Sequence, residues 1–226
     1  IIFNHYGYMW DKKPELLQKK TERSLPMLEK AYEEKKGDLH ILTHLLKTHY
    51  TAHQFDRVIE RSGEWMALMS GVLERGEYHE GWFSFLEGFL HIMSAYLAKN
   101  DEENALKTIS EAERYSKRLM LLYIGMGNWY YLNERYSEAV SMFERGVKIA
   151  EEPGDPYEAL MSDYGKAMLP EVFYALSVEY LLAGKLEKSG VAFNNAVKLD
   201  GGRSNIRWDL WNEERVRDKY NMKESA

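Results

Sequence analysis

The residues best suited to chemistry are four histidines in one short stretch: His40, His44, His49 and His53. The i, i+4 spacing within each successive pair would let two imidazoles on one helix face share a metal ion. At about 100° per residue, however, the two pairs point in roughly opposite directions. No glutamate stands where the helix of a zinc protease carries its general base. We therefore prefer a solvated or groove-lining stretch over the alternative of a metal site.

A run of three aromatic residues, Trp129, Tyr130 and Tyr131, could stack on bases or sugars. Consecutive helical residues point to different sides, so at most Trp129 or Tyr131 is expected to reach an open surface. Structural packing is therefore the preferred interpretation. The sequence also shows no nucleophile paired with a base, no glycine-rich phosphate loop and no pair of catalytic carboxylates.

The composition is globular and excludes several kinds of site. Apolar residues make up 45% and charged residues 29%, and no run approaches the ~18 apolar residues that a membrane span needs. The absence of cysteine excludes disulfides and thiolate sites, and a cytoplasmic location is expected. A net charge of −6 argues against nucleic acid as a partner. The chain begins Ile-Ile-Phe, which we interpret as the start of a piece of a longer protein.

The elements that position these side chains are organised around residues 123–151. This stretch places Tyr123, Met126, Gly127 and Tyr130 on a first helix and Ala139 and Phe143 on a second. The arrangement resembles the tetratricopeptide repeat, W-x2-L-G-x2-Y followed by A-x3-F. Gly127 and Ala139 are expected where two helices approach closely, small residue against large. Ala105 lies 34 residues before Ala139, which equals the repeat period.

Helical periodicity predicts more helices on both sides of this hairpin. A helix over residues 15–36, containing Pro26, precedes one pair over 39–52 and 55–75 and another over 80–99 and 102–117. Glycines and prolines between Gly154 and Pro170 predict a long loop or a short extra helix before a last hairpin, which runs from Phe173 to Ala196. A charged helix over 206–220, with Trp208, Leu210 and Trp211 on its buried side, is expected to cap the array.

The expected fold class is thus all-α, a right-handed superhelix of about four tetratricopeptide-like hairpins with a C-terminal capping helix. Residues 1–10 read as a short strand, a remnant of a preceding domain. The repeat domain is expected over residues 11–205, and the capping helix and tail over residues 206–226.

In such an array the first helix of each hairpin lines the inner surface. That surface is expected to bind a protein, a peptide or a second copy of the chain. Its expected residues are Thr43, Lys47, Leu90, Ser94, Ile124, Asn128, Tyr131, Tyr174 and Val178. Only Lys47 and Asn128 resemble the clamp that holds a C-terminal carboxylate in chaperone-binding repeats, so an apolar or aromatic peptide contact is favoured.

The motif His5-Tyr6-Gly7-Tyr8, followed by Glu22-Arg23-Ser24-Leu25, resembles a junction in a bacterial group of family 2 glycosyltransferases. There the catalytic domain ends in such a strand, and tetratricopeptide repeats follow. Ser24 departs from the usual asparagine. The resemblance implies that a catalytic domain with an Asp-x-Asp motif precedes this chain. It also implies that a divalent metal and a nucleotide sugar serve the parent enzyme, whereas this fragment needs no cofactor.

The same resemblance makes His5 a candidate ligand of the metal or the diphosphate, since a neutral imidazole nitrogen binds divalent ions. The alternative, a strand histidine bonded only to backbone, stays open. Two functions follow for the whole chain. One is an accessory region that recruits or orients the acceptor of a glycosyltransferase. The other is a free-standing scaffold or regulatory repeat protein with no link to glycosyl transfer.

Overall fold

The structure, a computed structural model, describes residues 14–77, 83–116, 119–151, 159–201 and 214–220. Within these ranges it contains ten helices and no strand. The helices form two compact units, Ile1–Lys117 and Arg118–Ala226. The predicted all-α fold with four tetratricopeptide-like hairpins is confirmed. The predicted strand at residues 1–10 lies outside the described residues.

The first unit contains a single helix followed by two hairpins. Its helices are α1 (Pro14–Glu34), α2 (Leu39–Thr51), α3 (Phe55–Glu74), α4 (Phe83–Ala98) and α5 (Glu102–Ala112). α1 begins at Pro14, as predicted, because the missing amide proton is not needed in a first turn. It continues through Pro26. The Asp38 carboxylate caps α2 by accepting hydrogen bonds from the amides of His40 and Ile41, at 3.0 and 3.1 Å.

The second unit contains two hairpins and a short terminal helix. Its helices are α6 (Met120–Leu132), α7 (Tyr136–Glu151), α8 (Ala159–Leu182), α9 (Leu186–Asp200) and α10 (Glu214–Lys219).

The extra residues before the last hairpin extend α8, which has 24 residues where α6 has 13. The prediction of a long loop or a separate short helix up to Pro170 was therefore wrong, although residues 152–158 lie outside the described ranges. A proline inside a helix costs about 3 kcal/mol. Leu169, Val172 and Phe173 beside Pro170 are all buried, and burying such side chains contributes about 1.5–3 kcal/mol each, which offsets that cost.

All four hairpin turns share one backbone conformation. The residue two positions before each second helix has a positive φ: 56° at His53, 58° at Asn100, 60° at Glu134 and 74° at Gly184. In every turn the next amide donates to the carbonyl five residues earlier, as from Arg135 to Tyr130 at 2.9 Å. This left-handed ending closes the first helix of each hairpin. The internal repeat is thus visible in the backbone even where the turn lacks glycine.

One stabilising substitution follows from these turns. A left-handed conformation costs a non-glycine residue about 1–2 kcal/mol. Glycine avoids this cost, but its unfolded chain is more flexible, and that flexibility cancels part of the stabilisation. We expect Glu134→Gly to raise the free energy of unfolding by about 0.5–1 kcal/mol, measured by urea denaturation with circular dichroism. Glu134→Ala keeps the Cβ atom and should change stability by less than about 0.5 kcal/mol. Equal stabilisation by both variants would refute the explanation.

The central hairpin packs a small residue against a large one, as predicted. A Cβ atom added to Gly127 on α6 would lie 2.6 Å from ring atoms of Phe143 on α7. Phe143 is 1% exposed and Ala139 is fully buried. In the last hairpin the equivalent close approach is polar, because the Ser189 hydroxyl donates to the carbonyl of Ser177 at 2.8 Å.

The described part of the terminal helix covers α8. Val216 packs against Val178 and Leu181. The Arg215 guanidinium donates to both carboxylate oxygens of Glu179, at 2.6 and 3.1 Å, and lies 3.3 Å from the centre of the Tyr136 ring. α10 therefore caps the last hairpin. The residues predicted to lie on its buried side, Trp208, Leu210 and Trp211, fall outside the described ranges.

Candidate protein-binding surface

Thr43 does not face an open surface, contrary to the prediction. It is buried, its hydroxyl donates to the carbonyl of Leu39 at 2.8 Å, and its oxygen accepts from Trp65 Nε1 at 2.8 Å. α2 thus turns Thr43 toward α3, where the indole needs an acceptor.

Lys47 does reach the surface of the first unit. Its Nζ lies 2.9 Å from Glu87 Oε2 on α4, and the two side chains are 52% and 28% exposed. An ion pair this exposed contributes at most about 1 kcal/mol. On the same α4, Leu90 and Ser94 are half-buried. The first helices of the two hairpins in this unit are therefore neighbours, as the repeat pattern requires.

Two residues predicted to line the inner surface in the second unit are buried instead. Ile124 is fully buried in the α6–α7 hairpin, where it lies against Gly146. Val178 is 1% exposed because Val216 of the capping helix covers it. Asn128 is half-buried, so its predicted contact with a ligand stays a prediction.

The aromatic residues of the second unit mainly hold the hairpins together. Tyr130 is 3% exposed, which confirms its packing role. Tyr131 is half-buried, with ring centres 5.4 Å from Tyr136 and 6.4 Å from Phe143. Tyr174 packs against the buried cluster beneath α10. Their predicted role in binding stays open.

The four histidines of α2 and the α2–α3 turn do not act as one group. His49 is 4% exposed, contrary to prediction, and its ring lies 2.8 Å from Gln54 Oε1 and 3.3 Å from Glu29 Oε1. His53 forms the α2–α3 turn. His40 and His44 meet edge to face, 4.6 Å apart. Among the described residues, no three potential ligands are grouped to hold a metal. The other candidate ligand, His5, lies outside them.

The first unit has a cleft of about 650 Å³ between α1 and α2. Its lining residues are Lys20, Thr21, Ser24, Met27, Leu28 and Ala31 on α1 and His44, Lys47, Thr48 and Thr51 on α2. On each helix they recur three or four positions apart and so form one continuous stripe. At 1.5 Å per residue the stripes are about 10–17 Å long, or two to three helical turns.

The chemistry of the cleft is apolar and cationic. Met27, Leu28 and Ala31 provide apolar surface, and Lys20 and Lys47 carry positive charge. Partial burial, followed by the influence of His40 and Lys47, lowers the pKa of His44, so its ring is neutral at pH 7. The ten lining residues include no carboxylate.

Polar contacts fix the α1 wall of the cleft in place. Glu29 accepts from Arg61 of α3 at 2.6 Å and also lies beside His49. The Tyr32 hydroxyl donates to Glu64 at 2.6 Å. Burial, followed by this bond to Glu64, raises the pKa of Tyr32 to about 12, so the hydroxyl stays protonated. The cleft therefore exists before any ligand binds.

The sequence matches no protein-family model and no curated protein. The fold, in contrast, is similar to solved structures. The crystal structure of MamA aligns with a TM-score of 0.59 and 14% identity, over 91% of this chain and 100% of MamA. A second MamA structure aligns with a TM-score of 0.57 and 14% identity, over 89% of this chain and 94% of that one. The crystal structure of BtubC (BKLC) from P. vanneervenii aligns with a TM-score of 0.57 and 18% identity, over 88% of this chain and 78% of BtubC.

The chain has a tetratricopeptide-type helical-repeat fold. At these identities the structural likeness establishes the fold alone. In the described part of the chain, no helix combines the length and apolar character needed to span a membrane.

Proposed function

We propose that this chain is a protein-binding module and that the cleft between α1 and α2 holds a segment of its partner. The observation that carries the proposal is the cleft itself, a preformed space whose two walls each present one stripe of a helix. A groove between two helices with apolar surface on one wall suits an amphipathic helical segment, whose own apolar side chains recur at i, i+3, i+4 and i+7. The tetratricopeptide-type fold supports a scaffold function.

A cross-linking experiment tests this proposal, because a chain without cysteine accepts a single reactive thiol. Thr48→Cys, inside the cleft, and Lys107→Cys, on the exposed side of α5, would each carry a benzophenone maleimide. After irradiation in extract of the source cells, a discrete adduct is expected from Thr48→Cys and not from Lys107→Cys. The same adducts from both positions, or none from either, would contradict binding in the cleft.

We further propose that the module is the C-terminal accessory region of a family 2 glycosyltransferase and recruits its acceptor. The support for this is the resemblance of the His5-Tyr6-Gly7-Tyr8 junction. An α/β domain with an Asp-x-Asp motif encoded upstream is expected, and its absence would favour the free-standing scaffold. Deleting the repeat region from the parent enzyme should impair transfer to the acceptor more than hydrolysis of the nucleotide sugar. Equal loss of both activities would contradict an acceptor-recruiting role.

A further inference from the structure

We infer that the segment held by the α1–α2 cleft is an acidic amphipathic helix. Its carboxylates would meet Lys47 and Lys20, and its apolar side chains would meet Met27 and Leu28. This inference rests on the proposed function and adds to it the chemical class of the partner.

The charge of the cleft is opposite to that of the chain. The net charge is −6, yet the charged residues among those lining the cleft are two lysines. An ammonium group has three donors, and Glu87 takes one of those on Lys47 at 2.9 Å. With its side chain 52% exposed, Lys47 retains donors for a second carboxylate. A carboxylate on the ligand can therefore bind Lys47 beside Glu87.

The hydroxyl groups on the α2 wall donate their protons within their own helix. The Thr48 hydroxyl donates to the carbonyl of His44, and the Thr51 hydroxyl donates to the carbonyl of Lys47, both at 2.7 Å. Their protons are thus used within α2, so these side chains present oxygen acceptors and methyl groups. On this wall the hydrogen-bond donors are the Lys47 ammonium and one ring N–H of the neutral His44. A ligand that brings carboxylate acceptors satisfies both.

The apolar part of the cleft requires the ligand to be amphipathic. Met27 is 67% exposed and lines the cleft. Leu28 and Ala31, on the same wall, are half-buried. Methionine adapts its shape to different apolar surfaces. A partner helix with apolar side chains on one face and carboxylates flanking them matches this arrangement.

Three fluorescein-labelled peptides of about four helical turns test the inference by anisotropy. The first is an amphipathic helix with leucines at i, i+3, i+4 and i+7 flanked by glutamates. The second has lysine in place of each glutamate. The third keeps the first composition in an order without helical amphipathicity. We expect the first to bind at least 10-fold more tightly than the others. Its binding should weaken with added salt, since exposed charges are screened.

Variants of the cleft locate the binding. Lys47→Gln is expected to weaken binding of the acidic peptide about 3- to 5-fold, the effect of losing one exposed ion pair. Met27→Glu places a carboxylate in the cleft and is expected to weaken binding at least 10-fold. Lys107→Gln and Lys107→Glu are the matched controls, because Lys107 is exposed on α5 and pairs with Glu103 outside the cleft. They should leave the affinity unchanged. Circular dichroism would verify that every variant is folded.

The outcomes separate this inference from the proposed function. Tighter binding of the basic peptide, or affinity unaffected by Lys47→Gln, would overturn the inference. If no peptide binds while Thr48→Cys still gives its adduct, the inference fails and the proposed binding in the cleft does not. If light scattering shows that Met27→Glu converts a dimer to a monomer, a second copy of the chain occupies the cleft, and the inference is again overturned.

Discussion

Trp65→Ala is expected to lower the free energy of unfolding by about 3–5 kcal/mol, the usual cost of removing a buried indole. Trp65 is fully buried on α3 and touches both neighbouring first helices. A Cβ atom added to Gly88 on α4 would lie 2.3 Å from the indole. The indole also meets Phe89 edge to face at 4.8 Å and donates to Thr43 on α2. Three helices of the first unit therefore lose contacts together.

Urea denaturation followed by far-ultraviolet circular dichroism measures this loss. Trp65→Phe removes part of the buried ring as well as the hydrogen bond to Thr43, so it should cost about 2–3 kcal/mol, less than Trp65→Ala. Thr43→Val, which removes the acceptor and leaves the indole proton unpaired, should cost about 1–3 kcal/mol. A loss below 1 kcal/mol for Trp65→Ala would show that the indole does not join the three helices.

Stability is expected to fall by about 3 kcal/mol between pH 6.5 and pH 4 because of His91 alone. His91 on α4 is 9% exposed, and its ring lies 5.0 Å from that of Tyr50 on α2. Burial is the main cause that lowers its pKa to about 4, with Lys47 lowering it further and Glu87 opposing the shift. Neither ring nitrogen has a hydrogen-bond partner among the described residues.

The direction of the effect follows from the two protonation states. The unfolded chain binds a proton on His91 near pH 6.5, whereas the folded chain does so only near pH 4. The contribution to stability is therefore complete above pH 6.5. It decreases as the pH falls toward 4 and changes no further below that value.

His91→Phe isolates this contribution, because phenylalanine can stack on Tyr50 and does not titrate. The difference in unfolding free energy between the variant and the parent chain should grow by about 3 kcal/mol from pH 7 to pH 4. Because the variant also removes two unpaired nitrogens, it should be at least as stable as the parent at pH 7. A difference that does not change with pH would mean that His91 is protonated equally in both states.

The hairpins could be predicted from the sequence because their signals are local. Gly127 and Ala139 stand at a fixed spacing within the tetratricopeptide pattern, and the structure places Phe143 against Gly127. Ala105, one period earlier, is also fully buried. A small residue facing a large one is required wherever two helices approach closely, so residue type alone locates these contacts.

The surface was harder to predict because it depends on which neighbour covers each helix face. Thr43 has the right position for an inner surface, but Trp65, 22 residues away, binds its hydroxyl. Val178 is likewise covered by Val216 of the capping helix. Neither contact follows from helical periodicity, which gives the faces of a helix and not their partners.

The cleft itself was missed for the same reason. Leu25, Leu28 and Tyr32 on α1 follow one helical spacing, and the sequence offers no sign that only part of that stripe is covered. In the structure Tyr32 is 2% exposed, whereas Met27 beside Leu28 is 67% exposed. The cleft begins where the packed part of α1 ends.

Closing the cleft reversibly is the measurement that tests binding there most directly. Ser24 and Thr48 both line it, and they lie at similar distances from the turn between α1 and α2, so two cysteines at these positions should face each other. A cleavable bismaleimide would tie the helices together across the opening. Binding of the purified partner recovered from the Thr48→Cys adduct should be lost in the tied chain and return when the linker is reduced. Equal affinity of the tied and released chains would contradict a partner segment bound between α1 and α2.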